Sequence, residues 1–279
     1  MESIKIAGTE IKEVQQIMLV TMIKIDQIAR KYNIKYVLSA GTLLGCIRHH
    51  GFIPWDDDLD IALLRKDYNK LRRACKCELE SNLFWQDSKS ENKYPLDFAK
   101  VKNLNTLYIE RSFISLDINH GIFIDIFPMD NTFPKLNRLQ GLAVIALQQL
   151  KKEKLGMKLK PNNWYEKMLQ KPIIKNLMWI VPFPLLNFLI NFCSQIFNFF
   201  PTNYVNIISH GGRHVPVYNR RDFCDVIEGD FENQNFFIPK EFHQYLTRRY
   251  GDYMKLPPKD KRKPNHNIIK CNIRQGKIS

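Results

Sequence analysis

The chain is short of acid: its 279 residues carry 28 Asp and Glu against 42 Lys and Arg, a net charge of +14. That deficit suits an anionic partner, whether nucleic acid, nucleotide phosphates or an anionic membrane surface. Zinc-ligand spacing is also missing. Cys46, Cys75, Cys77, Cys193, Cys224 and Cys271 are scattered, and Cys75-x-Cys77 is too tight for the usual pair around a tetrahedral metal. There is no N-terminal apolar run with a cleavage site, so a secretory leader is not expected. The expectation is a reduced, cytoplasmic protein with free thiols. No internal repeat, low-complexity tract or nucleic-acid-binding motif interleaving basic and aromatic residues is present, so no nucleic-acid partner is expected. With 44% hydrophobic and 25% charged residues, wholesale disorder is excluded too.

One long stretch has no charge at all. From Asn176 to His210 there is no Asp, Glu, Lys or Arg, and Leu, Ile, Phe, Trp and Val dominate residues 177–200. Pro182 and Pro184 interrupt it, while Asn187, Asn191, Gln195 and Asn198 recur at helical spacing along one side. The pattern predicts an uncharged amphipathic helix. It fits a segment lying on a membrane surface, a buried helix pair, or a span of about 20 apolar residues.

What is present reads as alternating helices and short strands. Apolar positions Ile11, Val14, Ile17, Met18, Ile25 and Ile28 predict a helix over 9–32, with Thr9 available as its cap. Tyr36–Leu38 reads as a buried strand. Gly41-Thr42 opens a short helix through Leu44 that Gly45 ends, and 59–64 forms a second strand before a helix over 67–80. Phe98–Lys102, Leu107–Ile109 and the strongly strand-like Ile122–Phe127 follow, then a helix over 136–155 and a basic stretch from Lys151 to Lys160, broken at Pro161. The basic, proline-containing tail from Lys255 is expected to be irregular.

The chemistry concentrates in Asp56, Asp57, Asp58 and Asp60, set between Trp55 and the apolar run from Leu59. Acid packed this densely repels itself unless a cation binds. Strand alternation puts Asp56, Asp58 and Asp60 on one face and Asp57 on the other with Leu59 and Ile61, so Asp57 is expected to be structural. Carboxylates at that spacing suit Mg²⁺ or Mn²⁺, hard cations that take phosphate oxygens as co-ligands. Gly41-Thr42 at a helix start would bring backbone N–H groups to a phosphate. Arg48, His49, Lys100 and Lys102 could add cationic contacts, and Trp55 could stack on a base or head group. Strand, Gly-Thr, helix, strand with Asp-x-Asp is the core order of the nucleotidyltransferase fold. There a third carboxylate comes from a later strand, and Asp125, between Ile124 and Ile126, is the candidate metal ligand or general base. The expected class is α+β: a small mixed sheet flanked by helices, with a mainly helical addition.

The run GTLLGCIRHHGFIPWDDDLDIALLRKDY (41–68) resembles the signature of the LicD family, whose relatives include the fukutin-related proteins. Phe98–Lys102 with Asn105-Thr106, Gly121–Pro128 and Phe242–Pro258 resemble its later blocks, while residues 135–205 are weakly constrained. The resemblance implies a metal-dependent transferase that moves a phospho-alcohol from a cytidine diphosphate donor to a glycan hydroxyl. Phosphocholine from CDP-choline is the usual bacterial case, and ribitol phosphate is known among relatives. It maps the family's aspartates onto Asp56, Asp58 and Asp60, its Gly-Thr onto Gly41 and Thr42, and its arginine onto Arg48. Cys46 stands where a small residue is common. Metal would sit on Asp56, Asp58 and Asp60, with Asp58, Asp60 and Asp125 catalytic. The expected organisation is a catalytic core over 1–134, a helical region over 135–210 with the membrane-surface candidate, and a C-terminal block over 211–279 packed on the core. A lipid-linked glycan acceptor would place the protein peripherally at the inner face of the cytoplasmic membrane. A nucleotide-adding enzyme that releases pyrophosphate is the rival within the fold.

Overall fold

The periodic apolar positions near the start form helix α1 (Ile11–Lys31), which buries Val14, Met18, Met22, Ile25 and Ile28. In the computed structural model, which describes residues 4–157, 180–210 and 216–273, Thr9 is not its cap. Thr9 belongs to β2 (Thr9–Glu10), paired antiparallel with β1 (Lys5–Ile6), and its hydroxyl reaches the carbonyl oxygen of Cys271 at 3.5 Å.

After β3 (Val37–Leu38), helix α2 spans Ala40–His49, longer than its glycines suggest. Gly45 lies inside it. A Cβ there would stand 2.4 Å from the carbonyl oxygen of Gly51, so glycine serves the close passage of the returning chain and not a turn. The helix stops at His50, which is left-handed at φ 52°. Next come β4 (Asp60–Leu64), α3 (Arg65–Glu78), β5 (Leu83–Gln86), β6 (Ala99–Asn103), β7 (Leu107–Glu110) and β8 (Ile122–Asn131). Helices α1 and α3 pack together and against β8.

Strand β8 is buried along all ten residues and organises a mixed, seven-stranded sheet. It runs parallel to β4 and antiparallel to β6, and β5 pairs with β6. At its far end Asp130 and Asn131 pair with β9 (Tyr204–Asn206), which carries β10 (Tyr218–Asn219). Pro128 explains why only Ile122–Phe127 was legible as a strand. The Asp125 N–H points toward β4, donating to the Leu59 carbonyl, so alternation turns the missing N–H of Pro128 to the other side. There β6 has ended opposite Ile126 and β9 begins only opposite Asp130, so no ladder bond is lost.

The remaining elements close around this sheet. Hairpin β11 (Val226–Phe231) and β12 (Gln234–Pro239) turns through Glu232 and Asn233, both at positive φ as a two-residue hairpin loop requires, and lies beside β3 and α2. Helix α6 (Phe242–Tyr250) follows, and Phe231, Phe236, Tyr245 and Leu246 join the same core as α1. The tail is not wholly irregular: β13 (Ile268–Asn272) pairs antiparallel with β7. Its pairing partner lies far away in sequence, which local pattern cannot reveal.

The charge-free stretch resolves into helix α5 (Phe183–Gln195), a 3-10 turn and β9. Helix α5 packs Leu186 and Ile190 against Val144 of α4 (Asn137–Lys154), forming a small second core with Ile208. Leu185, Phe188 and Phe192 face outward. Asn198 ties this unit to the sheet: its Nδ2 donates to Asp130 Oδ1, and its Oδ1 accepts the Asn131 N–H, each at 2.7 Å. Arg65 grips the same Asp130 with two bonds of 2.8 and 2.6 Å. Among the described residues no helix is long and apolar enough to cross a membrane. Residues 158–160 of the basic stretch, Pro161, and residues 176–179 lie outside the described residues.

Candidate functional site

Three neighbouring strands set the centre of the site by register alone. Asp60 at the start of β4 lies directly opposite Asp125 in β8, and Asp125 lies opposite Lys100 in β6. Register partners share a face of the sheet, so all three side chains line one cavity of about 470 Å³ together with Asp56, Asp58 and Gly41.

The acidic loop is held from several directions. Gln15 of α1 donates its Nε2 to the carbonyl oxygens of Ile53 and Asp56, at 3.3 and 2.8 Å. The Tyr108 hydroxyl donates to the Asp57 carbonyl at 3.3 Å. Asp57 itself is fully buried and turned away from the cavity. Its carboxylate accepts the backbone N–H groups of Asn265 and His266, at 3.0 and 3.1 Å, and faces His266 Nδ1 at 3.2 Å. Only Asp60 lies in a regular strand; Asp56 and Asp58 reach the same cavity from irregular chain.

Crowding dominates the electrostatics. Burial first, and then the charge of Asp58, pushes the Asp56 carboxyl up to about 9. Asp58 is raised by burial and by Asp125 and Asp57, though His266 opposes it. Asp60 stands well above the ordinary carboxylate range through burial and the charges of Asp58, Asp125 and Asp56. Asp125 and Glu110, by contrast, have a buried counter-ion: Lys100 Nζ lies 2.9 Å from Asp125 Oδ1 and 3.6 Å from Glu110 Oε1. Burial lowers the Lys100 ammonium, and those two carboxylates more than restore it. Lys102, buried over the Phe123 ring, has no such rescue; burial and the charge of Lys100 bring it down to about 7.

The expected phosphate contacts divide. Gly41 and Lys100 line the cavity. A Cβ on Gly41 would stand 2.6 Å from Asp56 Oδ2, so the glycine makes room for a carboxylate. Thr42 does not line the cavity; its hydroxyl accepts the Asp60 N–H at 2.8 Å and pins the start of α2 to the start of β4. Arg48 is engaged elsewhere, donating to the carbonyl oxygens of Tyr253 and Lys255 at 2.8 and 3.4 Å. Trp55 packs between the His49 ring and the Arg262 guanidinium, outside the cavity lining. Cavity residues that local pattern missed are Glu110, Lys152, Arg249, Tyr250 and His266. The segment containing Arg249 and Tyr250 was visible as a family-like block, whereas nothing near His266 marks it.

Among the described residues no group of three or more His, Cys, Asp or Glu side chains is arranged to hold a metal ion. The chemistry of the donor set nevertheless fits a hard divalent cation. Asp56, Asp58 and Asp60 offer only oxygen, and no Lys or Arg among the described residues forms an ion pair with any of them.

Residues 33–140 match the LicD/FKTN/FKRP nucleotidyltransferase domain. The chain is 27% identical over 266 residues to the lipopolysaccharide cholinephosphotransferase LicD of Haemophilus influenzae, covering 92% of this chain and 96% of that protein. An uncharacterized protein of Rickettsia prowazekii is 43% identical over 63 residues, 23% of this chain and 22% of its own length.

Proposed function

The chain belongs to the LicD family, and on that premise we propose that it transfers phosphocholine from CDP-choline to a hydroxyl of a cell-surface glycan, with release of CMP. The observation that carries this reading is the Asp60–Asp125–Lys100 register across three strands, opening on a cavity that also holds Asp56 and Asp58. The glycan would belong to a lipopolysaccharide, teichoic acid or capsule. A choline head group favours aromatic faces, and Phe98, Phe113, Phe127 and Tyr250 line the cavity. That lining supports choline over ribitol.

Asp56, Asp58 and Asp60 would hold Mg²⁺ or Mn²⁺, which when bound neutralises diphosphate charge and stabilises the departing cytidylate. Gly41 keeps the space beside Asp56 open. The acceptor hydroxyl gives its proton to the Asp125 carboxylate while its oxygen forms a new bond to the phosphocholine phosphorus. The bond from that phosphorus to the bridging oxygen breaks, and CMP leaves with the electron pair. Lys100 orients Asp125 through their ion pair.

The exposed apolar side of α5 would rest on the membrane that carries a lipid-linked acceptor. Phe188 is 63% exposed, Phe199 beyond the helix 83%, and Leu139 on α4 67%. Arg138 on α4 and the chain's net charge of +14 suit anionic lipid.

The test is purified protein with Mg²⁺ and a panel of CDP-choline, CDP-ribitol and CDP-glycerol, following CMP release. CMP from CDP-choline, reduced at least about a hundredfold in Asp60→Asn, is expected. Pyrophosphate release from a nucleoside triphosphate would replace this reading, and full activity in Asp60→Asn would remove the metal from it.

A further inference from the structure

A second cavity, of about 490 Å³, lies between α3 and α5 and shares the wall Leu96-Asp97-Phe98 with the catalytic cavity. We propose that it binds a carbohydrate, the segment of the acceptor glycan next to the hydroxyl that is modified.

The argument begins with the orientation of α5. A surface helix ordinarily hides its apolar side and shows its polar one. Here Leu186 and Ile190 pack on α4, Phe188 and Phe192 face outward, and the polar stripe of Asn187, Asn191 and Gln195 is turned into the cavity. The spacing of four along the helix brings all three amides to one wall. Amide side chains both donate and accept, which matches the hydroxyl group of a sugar.

Two of the three cations that line the cavity, Arg65 and Arg72 but not Lys89, are held by ion pairs. Arg65 is bound to Asp130 and Arg72 to Asp87, so their charges are already compensated. Two acceptor oxygens on residues of the wall have no donor. Asn187 Oδ1 is buried without a hydrogen-bond partner, as is Asp97 Oδ2, although Asp97 Oδ1 receives Lys151 Nζ at 2.8 Å. A buried acceptor without a donor is unfavourable, and a polyhydroxylated ligand brings donors. Asp97 borders both cavities, so a glycan seated here lies against the wall behind which Asp125 stands.

The term acceptor rests on the transferase reading; the carbohydrate site does not. The experiment separates them. Saturation-transfer NMR on the full chain, with methyl glycosides of glucose, galactose and N-acetylglucosamine as probes, is paired with calorimetric titration of CDP. At least one glycoside is expected to receive saturation, and Gln195→Leu and Asn191→Leu each to lower the signal at least about fivefold, a loss of about 1 kcal/mol of binding. CDP affinity should stay within about twofold in both. No transfer to any glycoside, or unchanged transfer in both variants with their melting temperatures intact, overturns the site. Glycoside binding that responds to the variants in a chain that does not bind CDP would uphold the cavity and reject the donor.

Discussion

Asp57 and His266 are 209 residues apart in sequence, yet the carboxylate of one accepts the backbone N–H of the other and stands 3.2 Å from its imidazole. The acid turned away from the cavity thereby becomes the anchor for the C-terminal arm, and His266 is delivered to the cavity wall.

Stability should depend on pH through this contact. Burial alone would lower the His266 pKa, but the Asp57 hydrogen bond and the Asp58 charge raise it from 6.5 to about 9. The folded value is the higher one, so the contribution is complete below pH 6.5 and drains away as pH rises through 9. His266→Gln should cost about 3 kcal/mol at pH 6 and much less at pH 10, by urea unfolding of both proteins. A gap that is constant with pH would contradict the assignment.

Gly41→Ala should separate fold from activity. The obstructed atom is the free end of the Asp56 carboxylate, 2.6 Å from the new Cβ, and it can rotate away. Unfolding free energy should change by less than about 1 kcal/mol, while CMP release falls at least about tenfold as Asp56 leaves its position.

For Thr42 the expectation is reversed. Thr42→Val keeps the shape but removes the acceptor of the buried Asp60 N–H, a loss of about 1–3 kcal/mol. Thr42→Ser should restore most of it. Equal stability of the Val and wild-type proteins in urea would show that the bond carries no weight.

Phe188→Ser combined with Phe199→Ser should weaken flotation with phosphatidylglycerol-containing vesicles by about 3 kcal/mol, roughly a hundredfold. Both side chains are more than half exposed, so the melting temperature should hold. Undiminished flotation would remove the membrane contact from the reading.

The strand that begins at Asp60, its Gly-Thr partner and the separate Asp125 strand were legible because each is a local pattern of period and chemistry, although Asp56 and Asp58 lie on irregular chain and not on the strand. Their relative placement was not. That Thr42 bonds the Asp60 backbone, and that Arg48 ties down the Tyr253 and Lys255 carbonyls, depends on which atoms meet after folding. Glu110 and His266 were missed for the same reason: β7 and β13 pair across more than a hundred residues. The polar stripe on α5 was visible as spacing, but only packing against α4 shows that the amides face a cavity and the phenylalanines face out.

Strand β8 links Asp125 in the site to Asp130, where Asn198 fastens the foot of the apolar unit. Five residues of extended chain span about 17 Å, and a buried strand paired with β4 from Asp125 to Met129 does not stretch. With the apolar face seated on lipid, the strand becomes a ruler that sets the height of the attacked phosphorus above the bilayer. Acceptors would then be sorted by how far the modified sugar stands from its anchor, in addition to any contact made with the sugar itself.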